Sequence, residues 1–101
     1  MTNNERTNRR GADLDALADK TSGAYSWDRY GEKNWKACVR MLSRRGYDDR
    51  EIEAILLSKW TRWAGDAAGK DSRVNSADLA RFIDSQKDVA AQVAELVAGT
   101  F

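Results

Sequence analysis

The stretch DDREIEAILLSKWTRWAGDAA, residues 48–68, decides how the chain folds. Asp48 followed three residues later by Glu51 is the Asp form of a capping box, in which each side chain satisfies a backbone N–H at a helix start. Ile52, Ile55, Leu56, Trp60, Trp63 and Ala67 then recur at helical spacing, so the sequence predicts one helix from about 49 to 68. On a wheel of 100° per residue, Ile52, Leu56 and Trp63 fall within about 40° of one another and Trp60 sits on the shoulder. Trp63 is therefore expected in the core, Trp60 on its border, and Lys59 and Arg62 at the solvent margin. Arg62 and Asp66 should form an exposed i, i+4 pair of little energetic consequence. The competing reading makes Lys59, Arg62 and Trp60 one surface, with Trp60 as a stacking platform for a nucleic-acid base.

Upstream, Trp35, Cys38, Val39 and Leu42 fall at i, i+3, i+4 and i+7 and predict a helix over 32–45. Arg44-Arg45-Gly46 stops it, because cations suit the negative helix end and glycine admits the left-handed cap. Tyr47 stands five residues before Ile52, as a hydrophobic staple requires. The short link RGYD makes these two helices neighbours, antiparallel or angled as in a helix-turn-helix. Downstream, GDAAGKDSRVN reads as a helix end and polar loop. Ser76 or Asn75 caps the next helix, with Asp78 in its first turn. Leu79, Phe82 and Ile83, then Val89, Val93, Leu96 and Val97, carry an apolar stripe over 76–98. This is one helix, or two with Asp88 capping the second, and Gly99 ends it.

Residues 1–11 are polar and read as a disordered tail. Leu14, Leu17 and Ala18 predict a short helix within 12–20. Residues 21–31 read as a linker whose Tyr25, Trp27 and Tyr30 fold back over the helical core, with Gly23 and Gly31 giving it freedom. There is no proline and no strand-like alternation. The expected fold is all-α: a tail over 1–11 and a single domain over 12–101, built as a small bundle of three to five helices with a helix-turn-helix-like central pair.

Composition removes several function classes. The 101 residues include no histidine and one cysteine, Cys38. The commonest general base and the commonest zinc ligand are thus missing, and no structural zinc site or internal disulfide can form. There is no phosphate-binding glycine loop and no nucleophile elbow. A non-enzymatic protein without cofactor or metal is expected. No apolar run is long enough to span a membrane and the N-terminus carries no secretory pattern, so a cytoplasmic location is expected.

Total charge is balanced, with 17 basic and 16 acidic residues, yet residues 29–63 hold nine basic against five acidic groups. On the 32–45 helix Lys36, Arg40 and Arg44 line up at i, i+4 and i+8, opposite the apolar stripe and beside Lys33. Such a ridge is a solvated face or a contact for an anion. The first functional expectation is a module binding DNA or RNA through Lys33, Lys36, Arg40, Arg44 and Arg45, extended by Lys59 and Arg62. The second is a protein-interaction module, either a homodimer through 76–98 or an inhibitor of a host protein.

NWKACVRMLSRRG and the following GYDDREIEAILLSKWTRWAGD contain the pattern W-x-x-C-x-x-x-L-x-x-R-G-Y, then E-I-x-A-I-L-x-S-K, then R-W-x-x-D. Over about residues 34–66 the chain resembles short proteins encoded by bacteriophages and related mobile elements. The resemblance implies an accessory protein acting inside a host cell and implies no reaction. RRGYDDREIEAILLSKWTRWAG also resembles a helix-turn-helix with GYDD as the turn. Glu51 and Glu53 depart from that pattern, since they stand near where such a helix would meet phosphate.

Overall fold

The computed structural model describes residues 3–69 and 71–101, with side chains from Gly11 onward except Ala12. Its helices are α1 (Asn3–Thr21), α2 (Trp27–Tyr30), α3 (Glu32–Arg44), α4 (Asp49–Leu57), α5 (Lys59–Ala68), α6 (Ser76–Asp84) and α7 (Val89–Thr100). The fold is an all-α bundle, with no strand among the described residues. Among the described residues seven helices replace the expected three to five, because two expected helices each break in two and the 21–31 linker holds a helix of its own. The tail expected over 1–11 falls on residues whose side chains lie outside those described, Gly11 aside; the backbone is helical from Asn3.

α3 and the turn after it form as their residues require. Trp35, Cys38, Val39 and Leu42 are fully buried, and Met41 joins them. Gly46 takes φ +95°. Its N–H donates to Ser43 O at 3.0 Å while the Tyr47 N–H donates to Leu42 O at 3.2 Å, the two bonds of a Schellman turn. The Asp48–Glu51 capping box then closes with both bonds at 2.9 Å, and Tyr47 packs half-buried against the core. The α3–α4 pair is thus joined by four residues with both flanking helix ends satisfied.

The predicted 49–68 helix is not continuous, and this is the main correction to the sequence reading. Ser58 swings to φ −84°, ψ 171° and serves as C-cap of α4 and N-cap of α5. Its hydroxyl donates to Ile55 O at 2.7 Å and accepts from the Trp60 N–H at 3.1 Å. The Thr61 hydroxyl reaches back to Leu56 O and Ser58 O, both at 3.1 Å. The Tyr30 hydroxyl, from α2, donates to Thr61 O at 2.7 Å. Backbone groups that the break would orphan are therefore satisfied by side chains.

The break resets the phase of everything after it. On α5 the buried residues are Trp60, Thr61, Ala64 and Gly65. At 100° per residue the centre of that face lies about 130° from Trp63. Trp60 is accordingly core, 3% exposed, and Trp63 is 48% exposed, the reverse of the expected assignment. Small residues on the buried face let the next segment approach: a Cβ on Gly65 would stand 3.5 Å from Val74.

α6 starts at Ser76 and is capped by Asn75, the second of the two expected caps, through an Asn75–Asp78 capping box. It buries Leu79 and Ile83 and lays Phe82 against both Trp60 and Trp63, with ring centroids at 6.1 and 6.4 Å. The 76–98 segment is two helices. The Ser85 hydroxyl and the Gln86 amide donate to Phe82 O at 2.6 and 3.2 Å, competing for the last turn of α6. Asp88 then turns left-handed at φ 52°, and its side chain makes no cap bond. α7 runs through Gly99 to Thr100 instead of ending before it, and it packs on α4.

The linker aromatics divide. Tyr30 is fully buried and meets Trp35 edge-on at 5.4 Å, Trp27 is half-buried against Trp35 at 6.0 Å, and Tyr25 is exposed. Trp35 Nε1 donates to the Thr21 hydroxyl at 2.8 Å, which in turn donates to Leu17 O at 2.9 Å. α1 is tied to α3 by that chain of bonds, and to α4 by a Lys20–Glu53 ion pair at 2.9 Å.

Candidate functional site

Lys36, Arg40 and Arg44 do share one edge of α3, but acids partly answer them. Lys36 pairs with Glu32 at 3.2 Å and Arg40 with Asp15 of α1 at 3.0 Å. Arg45 stands apart at the helix cap and holds both carboxylate oxygens of Asp84 at 2.6 and 3.2 Å. That hydrogen bond raises the Arg45 pKa and lowers that of Asp84 from its ordinary value. Lys33, Arg44 and Lys59 are exposed and make no ion pair among the described residues.

Lys59 and Arg62 belong elsewhere, since α5 packs chiefly on α4 and α6. The Arg62 guanidinium lies 4.1 Å over the Tyr25 ring, a cation–π contact, and the expected pair with Asp66 is not formed among the described residues. Trp60 is buried against Phe82, so it offers no face to a stacking base. The sequence reading therefore chose the wrong tryptophan as the surface platform. The missed signal is Ser58, a residue type favoured at helix starts, followed by small residues at Thr61, Ala64 and Gly65 that fit a new buried face.

The α4–α5 break is flanked by two concavities. The smaller, about 120 Å³, lies between Ser26, Leu56 and the Tyr25–Arg62 stack. The larger is a groove of about 460 Å³ with α7 as one wall and the first turns of α5 as the other. Leu57 and Trp63, 47% and 48% exposed, border it together with Leu96. Lys59 stands on the α5 wall; Glu95, Gly99 and Thr100 stand on the α7 wall. The capping at Ser58 holds Leu57 and Trp63 in place, so these apolar surfaces face water because of the fold and not because a loop is loose.

The apolar stripe of α7 is mostly used within the chain. Val93 is buried, and Val89, Leu96 and Val97 pack half-buried against the core. Phe101 is exposed and carries the Arg50 guanidinium 4.7 Å from its ring centroid.

Cys38 is fully buried, and burial, with the nearby Asp78 carboxylate adding to it, pushes its thiol up to about 12. Burial likewise raises the Tyr30 phenol well above its ordinary value, with Cys38 and Asp78 adding to the effect. Both groups are held neutral and reduced in reactivity. Among the described residues no group of three or more His, Cys, Asp or Glu side chains is placed to hold a metal ion. No helix among them is long and apolar enough to cross a membrane. No protein family, no curated protein and no solved structure matches the chain.

Proposed function

We propose that the protein is a small non-enzymatic binding module that takes a segment of a partner protein in the groove beside the α4–α5 break. The observation that supports this most is the pair Leu57 and Trp63, about half exposed and fixed on one concave surface by the Ser58 cap. A tryptophan standing at a cleft is the residue type that dominates binding energy in protein interfaces. The second support is the state of the alternative surface. Two cations of the α3 edge, Lys36 and Arg40, are already paired with acids, and Arg45 and Arg62 are engaged away from it by Asp84 and Tyr25. The position of a helix-turn-helix reading helix is taken by α4, which is buried at every residue from Ile52 to Leu56. If the resemblance to phage-encoded accessory proteins holds, the partner is a host protein in the cytoplasm.

Nucleic-acid binding is the second reading, favoured by the shared edge of Lys36, Arg40 and Arg44 with Lys33 beside it. One experiment separates the two. Nuclease-treated and untreated host lysates are passed over the wild type, Trp63→Ala, and the double variant Arg40→Glu/Arg44→Glu. Any captured protein is then purified and titrated against each. The proposal predicts nuclease-resistant, direct binding that Trp63→Ala weakens by about 2 kcal/mol or more and the charge reversal leaves intact. Nuclease-sensitive capture lost on charge reversal, with a mobility shift at low salt, would overturn it.

A further inference from the structure

The two walls of the groove differ in sign. Lys59 stands on the α5 wall at that helix's N-terminus, where the backbone dipole is positive. Glu95 stands on the α7 wall, which also contains Gly99 and Thr100 of that helix's last turn, where the dipole is negative. Between them lies the apolar surface of Leu57, Trp63 and Leu96. The α7 residues on the wall run from Gln92 to Thr100, so the wall is about 13 Å long.

Gly99 adds an independent observation. It is the penultimate residue of α7. No fold contact requires it: its φ is not positive, and a Cβ built there meets nothing within 4 Å. It lines the groove. Without a side chain there, that stretch of the wall is open to close approach by the backbone of an occupant.

We infer that the groove takes one amphipathic α-helix of the partner, packed over Gly99, with an acidic edge along Lys59 and a basic edge along Glu95. This rests on the groove being the binding site, as argued above. A strand is the poorer fit, because the described residues offer no sheet edge to extend. A helix presents an apolar stripe at i, i+4 and i+7 and two charged flanks, which matches two walls of opposite sign around an apolar floor. The rim charges contribute orientation and discrimination more than affinity.

The test uses three fluorescent helical peptides of about 16 residues sharing one leucine stripe. One carries Glu on one edge and Lys on the other, the second Lys on both edges, the third Glu on both. Anisotropy titrations against the full chain should show the mixed-edge peptide binding tightest, by about three- to tenfold, with the margin shrinking as salt rises. Lys59→Glu makes both walls acidic and should transfer the preference to the peptide with Lys on both edges. Gly99→Leu fills the groove and should abolish binding of all three, with circular dichroism confirming an unchanged helical content. Equal affinities for the three peptides, all lost in Gly99→Leu, would overturn the charge-matched helix and leave the groove standing. Absence of binding, or binding that ignores both Gly99→Leu and Trp63→Ala, would overturn the groove as well. A concentration-dependent dimer that excludes the peptides would put a second copy of this chain in the groove and overturn the inference.

Discussion

The molecule contains two tryptophan pairs, and they serve opposite ends. Trp27 and Trp35 stand eight residues apart across a turn, yet they meet edge-on at 6.0 Å in one aromatic cluster with Tyr30. Trp60 and Trp63 stand three apart on one short helix, and the fold separates them: one is core and the other faces a groove. Sequence distance predicts neither outcome. What decides is which backbone groups the neighbouring polar side chains satisfy. Around Trp35, the Thr21 hydroxyl ties the indole to α1 and closes the cluster inward. Before Trp60, Ser58 caps a new helix and turns the second tryptophan outward.

The largest expected effect lies in the inward cluster. Trp35→Ala removes a fully buried indole and leaves the Thr21 hydroxyl without its donor, and should cost about 3–5 kcal/mol in urea unfolding. Tyr30→Phe keeps the ring but leaves Thr61 O without the hydroxyl that donates to it across the break. It should cost about 1 kcal/mol. If Tyr30→Phe were neutral, the inward cluster and the break would be independent, and the contrast between the two pairs would lose its link. Ser58→Ala removes the cap and should cost about 1 kcal/mol, read from the same denaturation curves.

The sequence told much about the first region and misled about the second, for reasons that particular residues make plain. The stripe Trp35, Cys38, Val39 and Leu42, the stop at Gly46 and the Asp48–Glu51 box were legible because each depends on residues a few positions apart. The break at Ser58 was not legible from periodicity. Ile52 through Trp63 keep a helical period whether or not the helix continues, so the wheel assigns Trp63 inward. The deciding contacts come from afar: the Tyr30 hydroxyl is 31 positions away from Thr61, and Phe82 of α6 meets both indoles. On the basic edge of α3, the Lys36–Glu32 pair follows from i, i+4 spacing, whereas Asp15, which pairs with Arg40, lies on another helix and could not be paired by spacing. The groove was missed altogether, since it exists only once α5 is rotated and α7 folds back.

A smaller effect at neutral pH concerns the buried thiol. Cys38 has a folded pKa raised to about 12, above the unfolded value, so its contribution is fully present below about pH 8.5 and is lost as pH rises toward the folded value. The raised Tyr30 phenol acts in the same direction. Stability should therefore fall with increasing pH on the alkaline side, and a thiol reagent should modify Cys38 only as fast as the core opens. Rapid modification of the folded protein at pH 8 would show that the inward cluster is looser than its burial states.

The central claim is that the Ser58 cap places Trp60 in the core and Trp63 at the groove, and a matched pair of urea titrations tests it most directly. Trp60→Ala should lower unfolding stability by about 3–5 kcal/mol, whereas Trp63→Ala should lower it by about 1 kcal/mol or less. A Trp63→Ala variant that loses as much stability as Trp60→Ala, or more, would restore the uninterrupted helix over 49–68 and contradict the account.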